Sequence, residues 1–271
     1  MATELKLASN SQSPFKKKAA HLALLFLFCF PFGSVNAESS PVQWQWQWEL
    51  AADAVYYQEF DEQGARLNKE SNVIPHVNLA VQKNLTNNTS IKLNAGLSHG
   101  YVAYDGQLQN GAPYRTTSRM TLKQGAAFWQ WAWSENRRIW LGFGEMRWDR
   151  HILATGNVQT LSEYYDWQRI IVGLGYRLQQ HDLQVSVERL VNAGLDVDLR
   201  PWNRGVLKVH MPDGVQLGAR YEYLTQGAWF YFIDTSYRYF DRGPTTISGT
   251  SGFTEPENHF VQVKWGVGYH F

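Results

Sequence analysis

Glu145, Arg147, Asp149, Arg150 and His151 bring two acids, two arginines and a histidine into seven residues. Asp149 and His151 stand in an Asp-x-His spacing, and an acid beside a histidine can activate water by general acid/base chemistry. The same residues on an exposed rim would instead contact phosphate groups. Ser98 precedes His99, but neighbouring residues of an extended chain point to opposite faces. They cannot make a nucleophile–base pair, which needs hydrogen-bond reach. His76 has no obvious serine partner. No set of His, Asp and Glu has metal-ligand spacing, so no metal site, cofactor or catalytic residue is assigned. Tyr104-Asp-Gly106, Asn110-Gly111 and Pro212-Asp-Gly214 read as turns.

The elements that must carry these residues are clearest in residues 260–271. Val261, Val263, Trp265, Val267, Tyr269 and Phe271 share one face of a period-two strand, and Gln262, Lys264, Gly266, Gly268 and His270 share the other. A strand with one apolar and one polar or glycine face suits a membrane barrel, with lipid outside and lumen inside. This segment resembles the last strand of Gram-negative outer-membrane β-barrel proteins, which ends on Phe after alternating apolar residues. The resemblance implies that Trp265, Val267, Tyr269 and Phe271 form an assembly signal read by the barrel-assembly machinery.

The other end of the chain is consistent with that. Lys16, Lys17 and Lys18 precede an apolar run at 19–32, and small residues Val35 and Ala37 follow, so residues 1–37 read as a signal peptide cleaved after Ala37. The run is about 14 residues, shorter than the roughly 20 of a spanning helix. Cys29, the one cysteine, lies inside it, so residues 38–271 hold no disulfide or thiol site. Aromatic residues make up 15% of the chain while mean hydropathy is −0.40, a mixture that alternation explains and a helical membrane protein does not. Removing residues 1–37 takes four lysines and one glutamate from 25 basic and 24 acidic residues, leaving 21 against 23. That balance excludes a nucleic-acid footprint.

Period-two alternation predicts an all-β fold, a closed antiparallel transmembrane barrel filling residues 38–271. Its strands fall near 44–60, 73–83, 90–104, 119–133, 138–148, 162–178, 183–191, 215–224, 228–240 and 260–271. Trp44, Trp46 and Trp48 suit an aromatic girdle at the periplasmic interface. Alternation blurs at Gly142-Phe-Gly-Glu145, where a bulge is expected. Four short turns and five long loops join about ten strands and leave both termini in the periplasm; eight or twelve are the alternatives. Residues 205–211 read as the stem of a hairpin in the fourth long loop, extending into the eighth strand.

On the inferred inward face, Arg220, Glu222, Asp234, Arg238 and Lys264 come together, with Asp53, Lys92, Glu163, Arg169, Arg177 and Glu188 around them. Opposite charges can satisfy one another in a narrow lumen, so these residues form a structural charge network. Ten strands is also the count of the omptins, outer-membrane proteases with acidic pairs and an Asp-His pair at the extracellular rim. Asp149 and His151 resemble the second pair, but Asp105 is followed by Gly106 and Gln107, so the acidic pair is missing. Outer-membrane lipases and lipid A deacylases place His and Ser at the lipid-facing edge, a geometry Ser98 and His99 do not offer. The functional reading is a non-catalytic barrel, structural or surface-binding. A small porin or substrate-specific channel is the first alternative, and an omptin-like or lipid-hydrolysing enzyme the second. Expected partners are outer-membrane lipid and lipopolysaccharide, whose phosphates would meet the rim of Glu145, Arg147, Asp149 and His151. The extracellular ligand is left open.

Overall fold

A computed structural model describes residues 44–107, 111–156, 158–243, 246–248 and 251–271. The proposed signal peptide and the Asn110 turn position lie outside the described residues. Where side chains alternate in polarity the chain is extended, in thirteen strands: β1 (Trp44–Phe60), β2 (Arg66–Asn84), β3 (Thr89–Gln107), β4 (Pro113–Ser134), β5 (Arg137–Ile152), β6 (Leu161–Leu178), β7 (His181–Asp198), β8 (Val206–His210), β9 (Gly214–Leu224), β10 (Trp229–Phe240), β11 (Thr246–Ser248), β12 (Ser251–Phe253) and β13 (Glu257–His270). Among the described residues the one helical piece is a 3-10 turn, Arg200–Trp202.

Ten of these strands close an antiparallel ring. Neighbours in sequence pair through β7, then β7 pairs β9, β9 pairs β10, β10 pairs β13 and β13 pairs β1. Closure removes both sheet edges, the condition for a sheet to stand in hydrocarbon. The stem expected at 205–211 is β8. It pairs with Gly194–Asp198 of β7, directly beyond the part of β7 that pairs β9. β8 and β9 thus follow one line along β7, interrupted at residues 211–213 around Pro212, which has no amide proton to donate. The count stays at ten, with β8 as an extra segment. β11 and β12 form a separate small hairpin in the last long loop.

Pro75 stands inside β2. The β2–β3 ladder lapses between the Ser71 and His76 pairings, and Asn72 Nδ2 bridges the gap by donating to the Tyr101 carbonyl at 2.7 Å.

The bulge expected at 142–145 is absent. The β4–β5 and β5–β6 registers run unbroken through those residues. Irregularities fall at Glu59/Phe60, Ala132/Ser134 and Asp166/Gln168. The blurred alternation marks a change of sense instead. On the short-turn side, β5 exposes Leu141 and Phe143. Beyond Gly144 it exposes Glu145 and Arg147 and buries Met146, Trp148, Arg150 and Ile152. The barrel is apolar outside over its short-turn half and apolar inside over its long-loop half. A search for apolar-out strands stops where the sense inverts. For that reason β2, β4, β5 and β7 all extend farther toward the long loops than alternation predicts.

The apolar band outside includes Trp44, Trp46, Leu50, Leu79, Leu93, Trp131, Trp133, Leu141, Val172, Leu174, Val185, Trp229, Tyr231, Ile233 and Trp265, all exposed. Its tryptophans gather toward the short turns, with Trp48 5.5 Å from Trp229 and 6.4 Å from Tyr269, as expected of an interfacial girdle.

Inside, large rings fill the space beside glycines of the adjacent strand. Trp140 faces Gly173, and Phe230 faces Gly268. A Cβ at Gly173 would meet Trp140 Cε2 and Cζ2 at 2.2 Å. Gly173→Val should therefore destabilise the barrel by about 1–3 kcal/mol. The check is the urea midpoint of the heat-modifiable folded band; an unchanged midpoint would contradict this packing.

Candidate functional site

The lumen is layered, and β1 displays the order along its inward face: Gln47, Glu49 and Asp53, then Val55 and Tyr57, then Glu59. At the short-turn end a cavity of about 920 Å³ is lined by turn residues together with Lys92, Arg138, Arg177, Asp182, Glu222 and His270. The buried Asp182 carboxylate holds two guanidiniums, Arg138 Nη2 at 2.6 Å and Arg177 Nη2 at 2.9 Å. A smaller cavity of about 180 Å³ adjoins it, and Lys92, Gln130, Gln184 and Glu222 line both.

The expected charge network divides here. Arg220 joins Glu222 at 2.6 Å, Glu49 at 2.8 Å and Asp234 at 3.7 Å. Lys264 stands opposite both Asp53 and Asp234 in the sheet register. Arg238 is placed differently. Its Nε donates to Gln216 Oε1 at 2.9 Å, and its Nη2 approaches Gln262 Oε1 at 3.4 Å and Met146 Sδ at 3.1 Å. No described carboxylate reaches it within ion-pair distance.

His76 does have a serine partner. Its Nδ1 shares a 2.8 Å hydrogen bond with Ser98 Oγ, which donates to Asp53 Oδ2 at 2.7 Å. The cross-strand register creates the contact by setting His76 opposite Ser98. The hydroxyl lies between acid and imidazole, so this is not an acid–histidine–serine relay, in which the imidazole is central.

Above the charges lies an apolar layer of Val55, Tyr57, Ile74, Val102, Met120, Leu122, Met146, Trp148, Tyr165, Trp167, Leu190, Phe240 and Phe260. Trp148 on β5 and Phe260 on β13 come from opposite sides of the ten-strand ring, yet their ring centroids are 5.4 Å apart. Trp148 also stacks on Tyr165 at 4.6 Å and meets Tyr57 edge-on at 4.7 Å. Side chains from opposite walls meet at this height.

Over that layer sits Arg150, 1% exposed. Its Nε donates to Glu70 at 2.7 Å, and its Nη1 donates to Glu59 at 2.8 Å and Glu163 at 2.6 Å. Tyr57 Oη donates to Glu59 at 2.6 Å, and Asn68 Nδ2 donates to the other oxygen of Glu59. Glu255, from the long loop before β13, is 1% exposed beside them. Burial holds its carboxyl well above the usual 4.5, Glu59 and Glu163 push it the same way, and Arg150 opposes them.

The rim residues lie on the outer face of β5, which ends at Ile152 and there enters the long loop before β6. β5 runs four residues past the expected end at 148 because its inward side has become apolar. Asp149 is held by Arg147 at 2.6 Å and Lys123 at 2.9 Å, while His151 shares a 2.8 Å bond with Ser162. Asp149 and His151 face the same side without bonding to each other. Glu145 stands exposed next along that face, with no ion pair among the described residues. Arg150 alone turns inward. Sequence reasoning missed it as the centre of a cluster, although Met146, Trp148, Arg150 and Ile152 carry an alternation that pointed to it. Of the residues expected to form an assembly signal, Trp265, Val267 and Tyr269 lie in β13 on the outer face with Phe271 exposed just beyond.

No protein family and no curated protein matches the chain. Solved structures do. The outer membrane protease OmpT of Escherichia coli aligns with TM-score 0.52 at 10% identity, over 86% of this chain and 99% of that one. The outer membrane protein AlkL gives 0.40 at 13%, over 88% and 96%. Ail of Yersinia pestis, solved with a heparin analogue, gives 0.38 at 11%, over 85% and 99%. At such identities the likeness to OmpT shows the shared outer-membrane β-barrel fold alone.

Arg150→Met should cost about 3–5 kcal/mol, since it strands three buried carboxylates, and the urea midpoint would report it. Glu255 adds a pH dependence. The folded chain keeps a proton there that the unfolded chain loses. Its contribution is full below about pH 4.5 and drains as pH rises toward the folded value. Glu255→Gln should flatten that part of the midpoint-against-pH curve; an identical slope would rule the assignment out.

Proposed function

We propose that this chain is an integral outer-membrane barrel that neither conducts nor catalyses and that acts through its outer collar and long loops. The observation that carries this reading is the contact of Trp148 with Phe260 across the barrel, roofed by the Arg150 carboxylate cluster. In this reading residues 1–37 direct export and are cleaved after Ala37. The barrel-assembly machinery engages Trp265, Val267, Tyr269 and Phe271, and the short turns face the periplasm. The outward cations Arg119, Lys123 and Arg147 stand just beyond the apolar band, where lipopolysaccharide phosphates would meet them. The long loops, rich in Gly, Ser and Thr, are the part of the chain free to contact ligands outside the cell.

The protease reading has less support. Asp149 and His151 are each bonded elsewhere on the outer wall, and the inward acids Glu59, Glu70 and Glu163 are held by Arg150.

In planar bilayers the mature wild type should give no discrete conductance steps, while Trp148→Ala/Phe260→Ala should give them. Steady ion-selective steps from the wild type would replace this reading with a channel. The mass of the protein purified from outer membranes should correspond to a chain starting at Glu38.

A further inference from the structure

Glu255 closes the base of the last long loop. Its backbone carbonyl accepts from the Gly243 amide at 3.0 Å, joining one arm of the loop to the other. The two residues approach so closely that a Cβ at Gly243 would meet Glu255 Cβ at 3.2 Å. A second tie runs from Arg242 to Glu62 at 3.2 Å, but the Glu62 side chain is 71% exposed and water screens the pair. Glu255 itself is buried, and its Oε1 has no hydrogen-bond partner.

Charge balance decides the state of that carboxyl. Arg150 is bonded to Glu59, Glu70 and Glu163, whereas Glu255 makes no ion pair among the described residues. Glu59 and Tyr57 of β1, Arg150 of β5, and Glu163 and Tyr165 of β6 face it. Glu70 of β2 and Tyr104 of β3 lie against Arg150. Four ionised carboxylates against one guanidinium would leave three negative charges in excess in a buried space. The carboxyl that no cation holds is the one that keeps a proton. Once ionised, it gains by moving into water, and its carbonyl leaves Gly243 with it.

We propose that Gly243 and Glu255 form a pH-operated clasp at the base of the last long loop, shut while Glu255 carries a proton and opened by its ionisation. The clasp lies just beyond the Phe240–Asn258 pairing, so it opens without breaking the ten-strand ring. It works whether or not the lumen conducts. Its carboxyl is held above the usual 4.5, so the clasp is full strength below about pH 4.5 and weakens as pH rises toward the folded value.

The test is hydrogen exchange of the whole folded barrel, with the protection of the Gly243 amide followed against pH. One proton lost on opening should lower that protection by up to about tenfold per pH unit above about 4.5, until Glu255 ionises in place. Glu255→Gln, which keeps the shape without the charge, should hold Gly243 protection level. Val263, in the middle of β13, should stay protected throughout. Level protection of Gly243 in the wild type overturns the proposal, and so does an equal fall in Glu255→Gln. A parallel fall at Val263 overturns it too, because the opening would then be global. If Glu255→Gln does not fold, the wild type supplies a second measurement. The infrared carbonyl stretch of a protonated carboxyl should disappear over the pH range in which Gly243 opens; opening with that signal unchanged counts against the clasp.

Discussion

The constraint on which the rest depends is closure of the backbone ladder. A peptide group left unpaired in hydrocarbon costs several kcal/mol, so a sheet can cross a membrane only as a ring. Here β13 pairs with β1 and β7 with β9, so the ten-strand ring itself has no edge. Ten strands then set the width of the interior. That width is small enough for Trp148 to touch Phe260 on the opposite wall. Once the ring is closed, its interior must be filled, bonded or wet, and the layers along the lumen are three answers to that demand.

The answers follow the medium outside. Across the apolar band the wall gains from burying its outer side chains in lipid, so polar and charged groups are left inside to satisfy one another. Arg220 with its three carboxylates and Asp182 with its two guanidiniums are the result. Beyond the band both sides would meet water, and burial of apolar surface becomes the dominant favourable term. The barrel then folds around an apolar core as a soluble protein does, with charges such as Arg147, Asp149 and Lys123 moved to the outer wall. The Arg150 cluster sits where that core meets the long loops, and there one guanidinium is bonded to three acids. The vertical order leaves the polar cavities on the short-turn side of the apolar layer.

Much of the fold was legible in the residues themselves. The period-two pattern at 260–271, repeated in residues 44–60 and 162–178, determined the strands, their membrane face and, through the lengths of the connections, the ring of ten. It determined that Arg220, Glu222, Asp234 and Lys264 point inward. Alternation is local, carried by each strand alone, so it survives without knowledge of partners. Where the sense of alternation inverts at Gly144, the strand continues although the membrane pattern ends.

Tertiary structure decided everything that depends on meeting across the ring. Arg150 lies 80 residues from Glu70 and 91 from Glu59, and nothing in the spacing of any one strand brings them together. Whether Arg238 joins the charge network or stands apart is set by register and by what faces it across the lumen. His76 found Ser98 for the same reason. Position along a strand is a property of the chain, whereas pairing in a closed ring depends on all ten strands at once. Orientation could therefore be read from the sequence, and partnership could not.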